Sequence, residues 1–131
     1  MYALRVDRAF KAFHFLIGGD WGSENSHHSH DYRFKAIFEG PELNKHGYLL
    51  DIVDVEKAMD AQVERFKDGT LNEFEEFSGL NPSIEHFSRI LWERMESTIN
   101  KTGLTSMTVR IWEDDFAWAR FSKKLTQEST L

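Results

Sequence analysis

Alternation between apolar and polar positions dominates the first forty residues. Over residues 2–17, Leu4, Val6, Phe10, Ala12, His14 and Leu16 fall on one parity, with Arg5, Asp7 and Lys11 on the other, which predicts a strand in spite of Phe13 and Phe15. Gly18, Gly19, Asp20 and Gly22 open a glycine-rich loop, expected to be flexible, that runs to about Ser26. The parity of the second strand is cleaner: His28, His30, Tyr32, Phe34, Ala36 and Phe38 share one face, and Ser29, Asp31, Arg33, Lys35 and Glu39 the other, until Glu39-Gly40-Pro41 ends it. After a short extended piece at Tyr48-Leu49-Leu50 the period lengthens. Val55, Met59, Val63 and Phe66 recur every three or four residues, predicting a helix with Asp54 as N-cap and Asp68-Gly69 as its end. Residues 70–82 read as an irregular connection. A second helix is predicted from Ser83, with the stripe Ile84, Phe87, Leu91, Met95 and Ile99 and a cap at Gly103. Met107, Val109 and Ile111 then alternate with Thr108, Arg110 and Trp112 as a third strand. Asp114-Asp115 marks a turn, and Phe116 to Phe121 is the returning fourth strand.

The predicted order is β-β-α-α-β-β. Short connections between consecutive strands imply four antiparallel strands with both helices on one face, an α+β fold. Residues 1–122 form a single domain with no internal repeat or dividing linker, and 123–131 are expected to be a polar, frayed tail. An open four-stranded sheet leaves two edges, which a small protein covers by pairing with copies of itself.

Composition narrows the functional classes. The 131 residues allow one modest core, for which eleven Phe and four Trp supply bulk. A net charge of -6 argues against a broad grip on nucleic acid. With no Cys, disulfides and thiolate nucleophiles are excluded, which fits a reducing, cytoplasmic setting. The first residues, MYALRVDRAFKAF, carry scattered charges, so no signal peptide is expected, and no run approaches the ~18 apolar residues of a membrane span.

Five of the six His lie in the first half of the chain. His28 and His30, two apart on a strand, point the same way at the start of its apolar face. Imidazoles there are costly without partners, and a metal satisfies both together. His14, of matching parity near the end of the preceding strand, supplies a third nitrogen if the two strands pair as a hairpin. Three neutral His with an open fourth position is the arrangement of a catalytic zinc. The alternative is a core histidine at 14 beside a solvated loop at 27–30. His27 points to the opposite face, and His46 and His86 read as surface or helix residues. Glu113 shares the parity of Val109 and Ile111. Such a carboxylate either meets a buried partner or is exposed in the turn with Asp114 and Asp115.

At this point the chain resembles the 6-pyruvoyl-tetrahydropterin synthase and 6-carboxytetrahydropterin synthase family. His28-Ser29-His30-Asp31-Tyr32-Arg33 is similar to the family's His-Gly-His-Asn-Tyr-Arg signature, and Phe13-His14 to its first zinc histidine. Tyr48-Leu49-Leu50-Asp51 fits the stretch before its first helix. Asn81-Pro82-Ser83-Ile84-Glu85 resembles the Asn-Pro-Thr-x-Glu that opens its second helix. Val109-Arg110-Ile111-Trp112-Glu113 resembles the strand whose terminal Glu holds the pterin. The resemblance implies the tunnelling fold, with strands of several subunits joined into a barrel, active sites between subunits, and a hexamer made of two trimers. It implies a pterin substrate, zinc on His14, His28 and His30, and a substrate-binding role for Glu113 with Ser83 and Ile84.

Two departures bear on the reaction. Where the synthase has a catalytic Cys, four residues before the first His of the pair, this chain has Glu24. That resembles a variant branch that cleaves dihydroneopterin triphosphate to 6-hydroxymethyl-7,8-dihydropterin, the folate precursor. Where the family carries Asp-His before Leu-Asn, the chain reads Lys67-Asp68-Gly69-Thr70-Leu71-Asn72, which keeps Asp68 for part of the catalytic role and lacks the His. The resulting expectation is a zinc-dependent carbon–carbon lyase with Glu24 as general base. The rivals are a zinc- and pterin-binding paralogue with little catalysis, a pyruvoyl- or carboxytetrahydropterin synthase-like enzyme, and an unrelated metal-binding β-barrel.

Overall fold

In the computed structural model, which describes residues 1–127, the elements follow the predicted order. Strands β1 (Tyr2–His14) and β2 (His28–Gly40) form a long antiparallel pair, followed by helices α1 (Ile52–Phe66) and α2 (Ile84–Glu96) and by strands β3 (Ser106–Trp112) and β4 (Trp118–Lys124). The sheet order is β1-β2-β3-β4, antiparallel throughout. No described helix is long and apolar enough to cross a membrane.

The predicted apolar parities converge on one side of this sheet. Phe10, Ala12, Tyr32, Phe34, Ala36, Phe38, Met107, Val109 and Ile111 are buried beneath the helical stripes Val55, Met59 and Phe66 and Phe87, Leu91 and Met95. Beneath the histidine end lies an aromatic block, in which the Tyr32 ring meets Phe87 at 5.3 Å and Phe10 at 5.7 Å between centroids. Phe87 in turn packs edge-on against Phe66 and Phe77. Trp92 pins α2 to the sheet by donating from Nε1 to the Met107 carbonyl at 2.7 Å.

Several boundaries differ from the sequence expectation. β1 stops at His14 rather than 17, because the Phe15 and Ile17 amides donate to the side chains of Asn72 and Asn81 instead of to a neighbouring strand. α1 begins one turn early. Asp51, not Asp54, caps it by accepting from the Val53 amide, and Ile52 and Val53 are exposed apolar residues that carry no stripe. α2 ends at Glu96. Ile99 is still buried but lies beyond the helix, and Gly103, at φ +79°, shapes the turn into β3 instead of capping α2. The 70–82 connection contains two short 3-10 turns, Leu71–Glu73 and Glu75–Phe77. β4 starts at Trp118, leaving Phe116 94% exposed in the turn, where Asp114 accepts from the Phe116 and Ala117 amides. The strand then runs past Ser122 to Lys124, and Leu125 is buried. The last part of the expected tail, 128–131, lies outside the described residues.

Candidate metal centre

The register of the first hairpin sets His14 directly opposite His28 and Ala12 opposite His30, so three imidazoles meet at one end of the buried face. Their rings stand edge to face, with centroids 4.5 Å apart for His14 and His28 and 4.9 Å for each other pair. His14 Nε2 lies 2.9 Å from His28 Nε2, which is 3.2 Å from His30 Nε2. Nitrogens bound ~2.0–2.1 Å from a tetrahedral zinc stand about 3.3 Å apart, close to this spacing.

Backbone carbonyls fix which nitrogens converge. His14 Nδ1 lies 2.9 Å from the Pro82 carbonyl, and His28 Nδ1 lies 2.6 Å from that of Ser26. A carbonyl only accepts, so Nδ1 of each ring holds the proton and Nε2 presents its lone pair. Glu24 adds a carboxylate oxygen 2.9 Å from His28 Nε2, and the donor atoms of His14, Glu24, His28 and His30 all lie within 4.8 Å of one another. Acceptors facing acceptors at these distances repel, and a cation among them removes the conflict. The donor set therefore fits zinc, with carbonyl-oriented imidazoles as metal-ligating histidines have. Protonating His14 does not serve instead: burial, and secondarily the neighbouring imidazoles, hold its pKa down to about 4 against the usual 6.5.

The loop carrying Glu24 was expected to be flexible, but it is heavily tied. Gly22–Asn25 forms a 3-10 turn, and the Leu16 amide donates to the Glu24 carbonyl at 2.9 Å. The Asn25 side chain donates to the Leu16 and Gly19 carbonyls and accepts from the Trp21 amide. Asn72 braces the near end, accepting from the Phe15 amide and donating to its carbonyl.

The remaining sequence-selected residues are placed unequally. Glu113 follows β3 half-buried. Burial raises its pKa, an effect that a charge on His30 would oppose. Tyr32 joins the same region, its hydroxyl 3.4 Å from His14 Nδ1; burial first, then Glu113 and Glu24, push its pKa upward. Ser83 caps α2 by accepting from the His86 amide, and Ile84 opens the helix against the core, two residues beyond Pro82, whose carbonyl orients His14. Asp68 is not among the clustered donors. It is exposed at the end of α1, at φ 59°, with its amide donating to the Lys11 carbonyl. His27 faces away from the cluster, stacked on Phe13 at 5.0 Å and bonded to Thr70 Oγ1. His46 lies beside Tyr48 and His86 in the first turn of α2. Sequence reasoning assigned no role to Pro82, Ser26, Asn25 or Asn72: Pro82 and Ser26 act through backbone carbonyls, which leave no residue-type signature, and the signals available were the Asn-Pro-Ser start of α2 and the Leu71-Asn72 pair.

A four-stranded antiparallel sheet with two helices on one face, in this order, is the protomer of the tunnelling fold. The profile of the 6-pyruvoyl tetrahydropterin synthase family matches residues 3–124, and the chain belongs to that family of pterin-processing enzymes. No curated protein matches the chain significantly. Among solved structures it is similar to 6-pyruvoyl tetrahydropterin synthase of Caenorhabditis elegans, with TM-score 0.78 and 21% identity over 94% of each chain. It is also similar to a Plasmodium vivax 6-pyruvoyltetrahydropterin synthase variant in which a catalytic glutamate is replaced by alanine, with TM-score 0.79 and 14% identity over 94% of this chain and 98% of that one. The Plasmodium falciparum synthase gives TM-score 0.76 and 11% identity, again over 94% and 98%.

Proposed function

We propose that this protein is a zinc-dependent lyase that shortens a dihydropterin side chain, converting dihydroneopterin triphosphate to 6-hydroxymethyl-7,8-dihydropterin or catalysing a closely related cleavage. The observation that carries this reading is the Glu24 carboxylate, 2.9 Å from His28 Nε2 on a braced loop, where a base is needed and no thiol exists. That a glutamate is named as a catalytic residue in the Plasmodium vivax relative supports the assignment.

His14, His28 and His30 would hold zinc, which supplies a Lewis acid that makes side-chain hydroxyl protons more acidic. Glu113 would accept from the pterin's 2-amino and N3–H groups, two donors in one plane, near Ser83 and Ile84 at the start of α2. Glu24 would take the proton from the hydroxyl on the second side-chain carbon. The bond between the first and second carbons then breaks. The second carbon leaves as an aldehyde, and the bonding pair passes into the ring system until the first carbon regains a proton. A carboxylate matches an acidified O–H better than the C–H abstraction of a thiol-containing synthase.

One observation favours the quieter rival, a zinc- and pterin-binding paralogue with little turnover. Asp68 is exposed and outside the donor cluster, and no His follows it. Incubation with dihydroneopterin triphosphate separates the two readings: the lyase releases 6-hydroxymethyldihydropterin, and the binding protein returns its ligand unchanged.

A further inference from the structure

The residues assigned to the metal centre and its substrate come from three stretches of chain. His14, Glu24, His28 and His30 belong to 12–32, Pro82 and Ser83 to 68–88, and Glu113 to 111–119. Together these stretches contain eleven Asp and Glu and no Lys or Arg, although the chain has 16 Lys and Arg in all. The cations that border them are engaged elsewhere. Arg33, Lys67 and Arg89 are in ion pairs with Asp115, Glu64 and Glu93. Lys11 stands opposite Asp31, and Arg110 opposite Arg120, on the parity that faces away from the histidines. Arg8 does share the parity of His14, but Asp60 and Glu56 hold it at 2.7 and 3.0 Å.

The acids act on one another. Burial first, then the negative charges of Asp114, Glu24 and Glu85, raise the pKa of Glu113, against an opposing effect of His30. A divalent ion among the histidines offsets only two of these four carboxylates. The N-terminus of α2, a place that favours anions, already carries Glu85 in its first turn. A cleft lined by one sign of charge repels ligands of the same sign, and phosphates are ordinarily met by Arg and Lys.

We propose that this site takes dihydropterins with an uncharged, hydroxylated side chain in preference to their triphosphates, dihydroneopterin before dihydroneopterin triphosphate. The inference rests on the lyase reading of the same site and narrows its substrate. Side-chain hydroxyls need only the metal and Glu24, whereas a triphosphate brings several negative charges into an acidic mouth. The cleavage balances without phosphate. The proton that Glu24 removes from the hydroxyl of the second carbon equals the one the first carbon regains, and the remaining two carbons leave as glycolaldehyde. The triphosphate undergoes the same cleavage less efficiently.

The test measures kcat/KM of the assembled, zinc-loaded protein for both compounds at low and moderate salt, beside calorimetric titration of Glu24→Gln with each. Dihydroneopterin should be favoured by about tenfold or more in kcat/KM, and should bind Glu24→Gln tighter by a similar factor. Salt screens the repulsion, so it should improve the triphosphate and leave dihydroneopterin within about twofold. Asp114→Asn should act in the same way, because its amide keeps the oxygen that accepts from the Phe116 and Ala117 amides and loses only the charge. Equal or better handling of the triphosphate would mean that a neighbouring copy supplies cations, and would overturn the proposal. So would a preference that neither salt nor Asp114→Asn diminishes, since it would come from shape rather than charge. Cleavage of neither compound would end the lyase reading, and the titration would still decide which side chain the site accepts.

Discussion

His14 is almost wholly buried, yet it must stay unprotonated to offer a lone pair. Its pKa of about 4 against the ordinary 6.5 means that the folded, metal-free protein binds fewer protons than the unfolded chain between those values. Stability of chelator-treated protein should therefore rise with pH from about 4 to 6.5 and level off above. Glu113, whose pKa is raised, acts in the opposite sense just above 4.5 and blunts the lower part of the rise. Urea midpoints at several pH values, compared with those of His14→Gln, check this: the variant should lose much of the slope. The ligand assignment has its own test. Purified protein should hold close to one zinc per chain; His28→Ala should lose most of it, and His27→Ala, which removes a ring stacked on Phe13, should not. Equal loss in both variants would mean the wrong face binds metal.

Among the elements, the braces around the site matter as much as the strands. Asn72→Ala removes two hydrogen bonds to the Phe15 backbone at the exit of β1 and should cost about 1–3 kcal/mol in denaturant titrations. It should also loosen the approach to Glu24, lowering turnover while zinc content holds; an unchanged midpoint would show that the brace is dispensable. The same residues show why the sequence was readable only in part. β2 was legible because every second residue from His28 to Phe38 faces the interior, and the histidine triad follows from parity once the hairpin register is known. β1 read too long because Leu16 keeps the parity while the neighbouring amides turn to Asn72 and Asn81. The α2 stripe read too long because Ile99 packs into the core after Ser97 and Thr98 have bonded back to the Arg94 and Met95 carbonyls. Asp51 and Asp54 are equivalent as letters. Only the exposure of Ile52 and Val53 shows that the helix starts before its apolar stripe does.

On the scale of the whole molecule, the sheet of described residues ends on β4, which no other strand pairs, and on β1, whose outer edge meets the 68–70 segment at Lys11 and Phe13 and is otherwise open. Tyr2, Tyr48 and Ile52 remain exposed around a cavity of about 700 Å³ beside the start of β1. An isolated protomer would leave these features in water, so assembly is the expected state. Sedimentation should give a mass several times 15.4 kDa, with a two-trimer hexamer at six times that value, and a clean monomer would contradict the expected assembly. The most direct test of the lyase is to incubate the assembled, zinc-loaded protein with dihydroneopterin triphosphate, beside Glu24→Gln, and identify the pterin product by mass. The account predicts 6-hydroxymethyl-7,8-dihydropterin from the parent protein and turnover lower by roughly 100-fold or more in the variant, with zinc content near one per chain in both. Recovery of intact substrate from the parent protein, or turnover in Glu24→Gln within about threefold of it, would contradict the account.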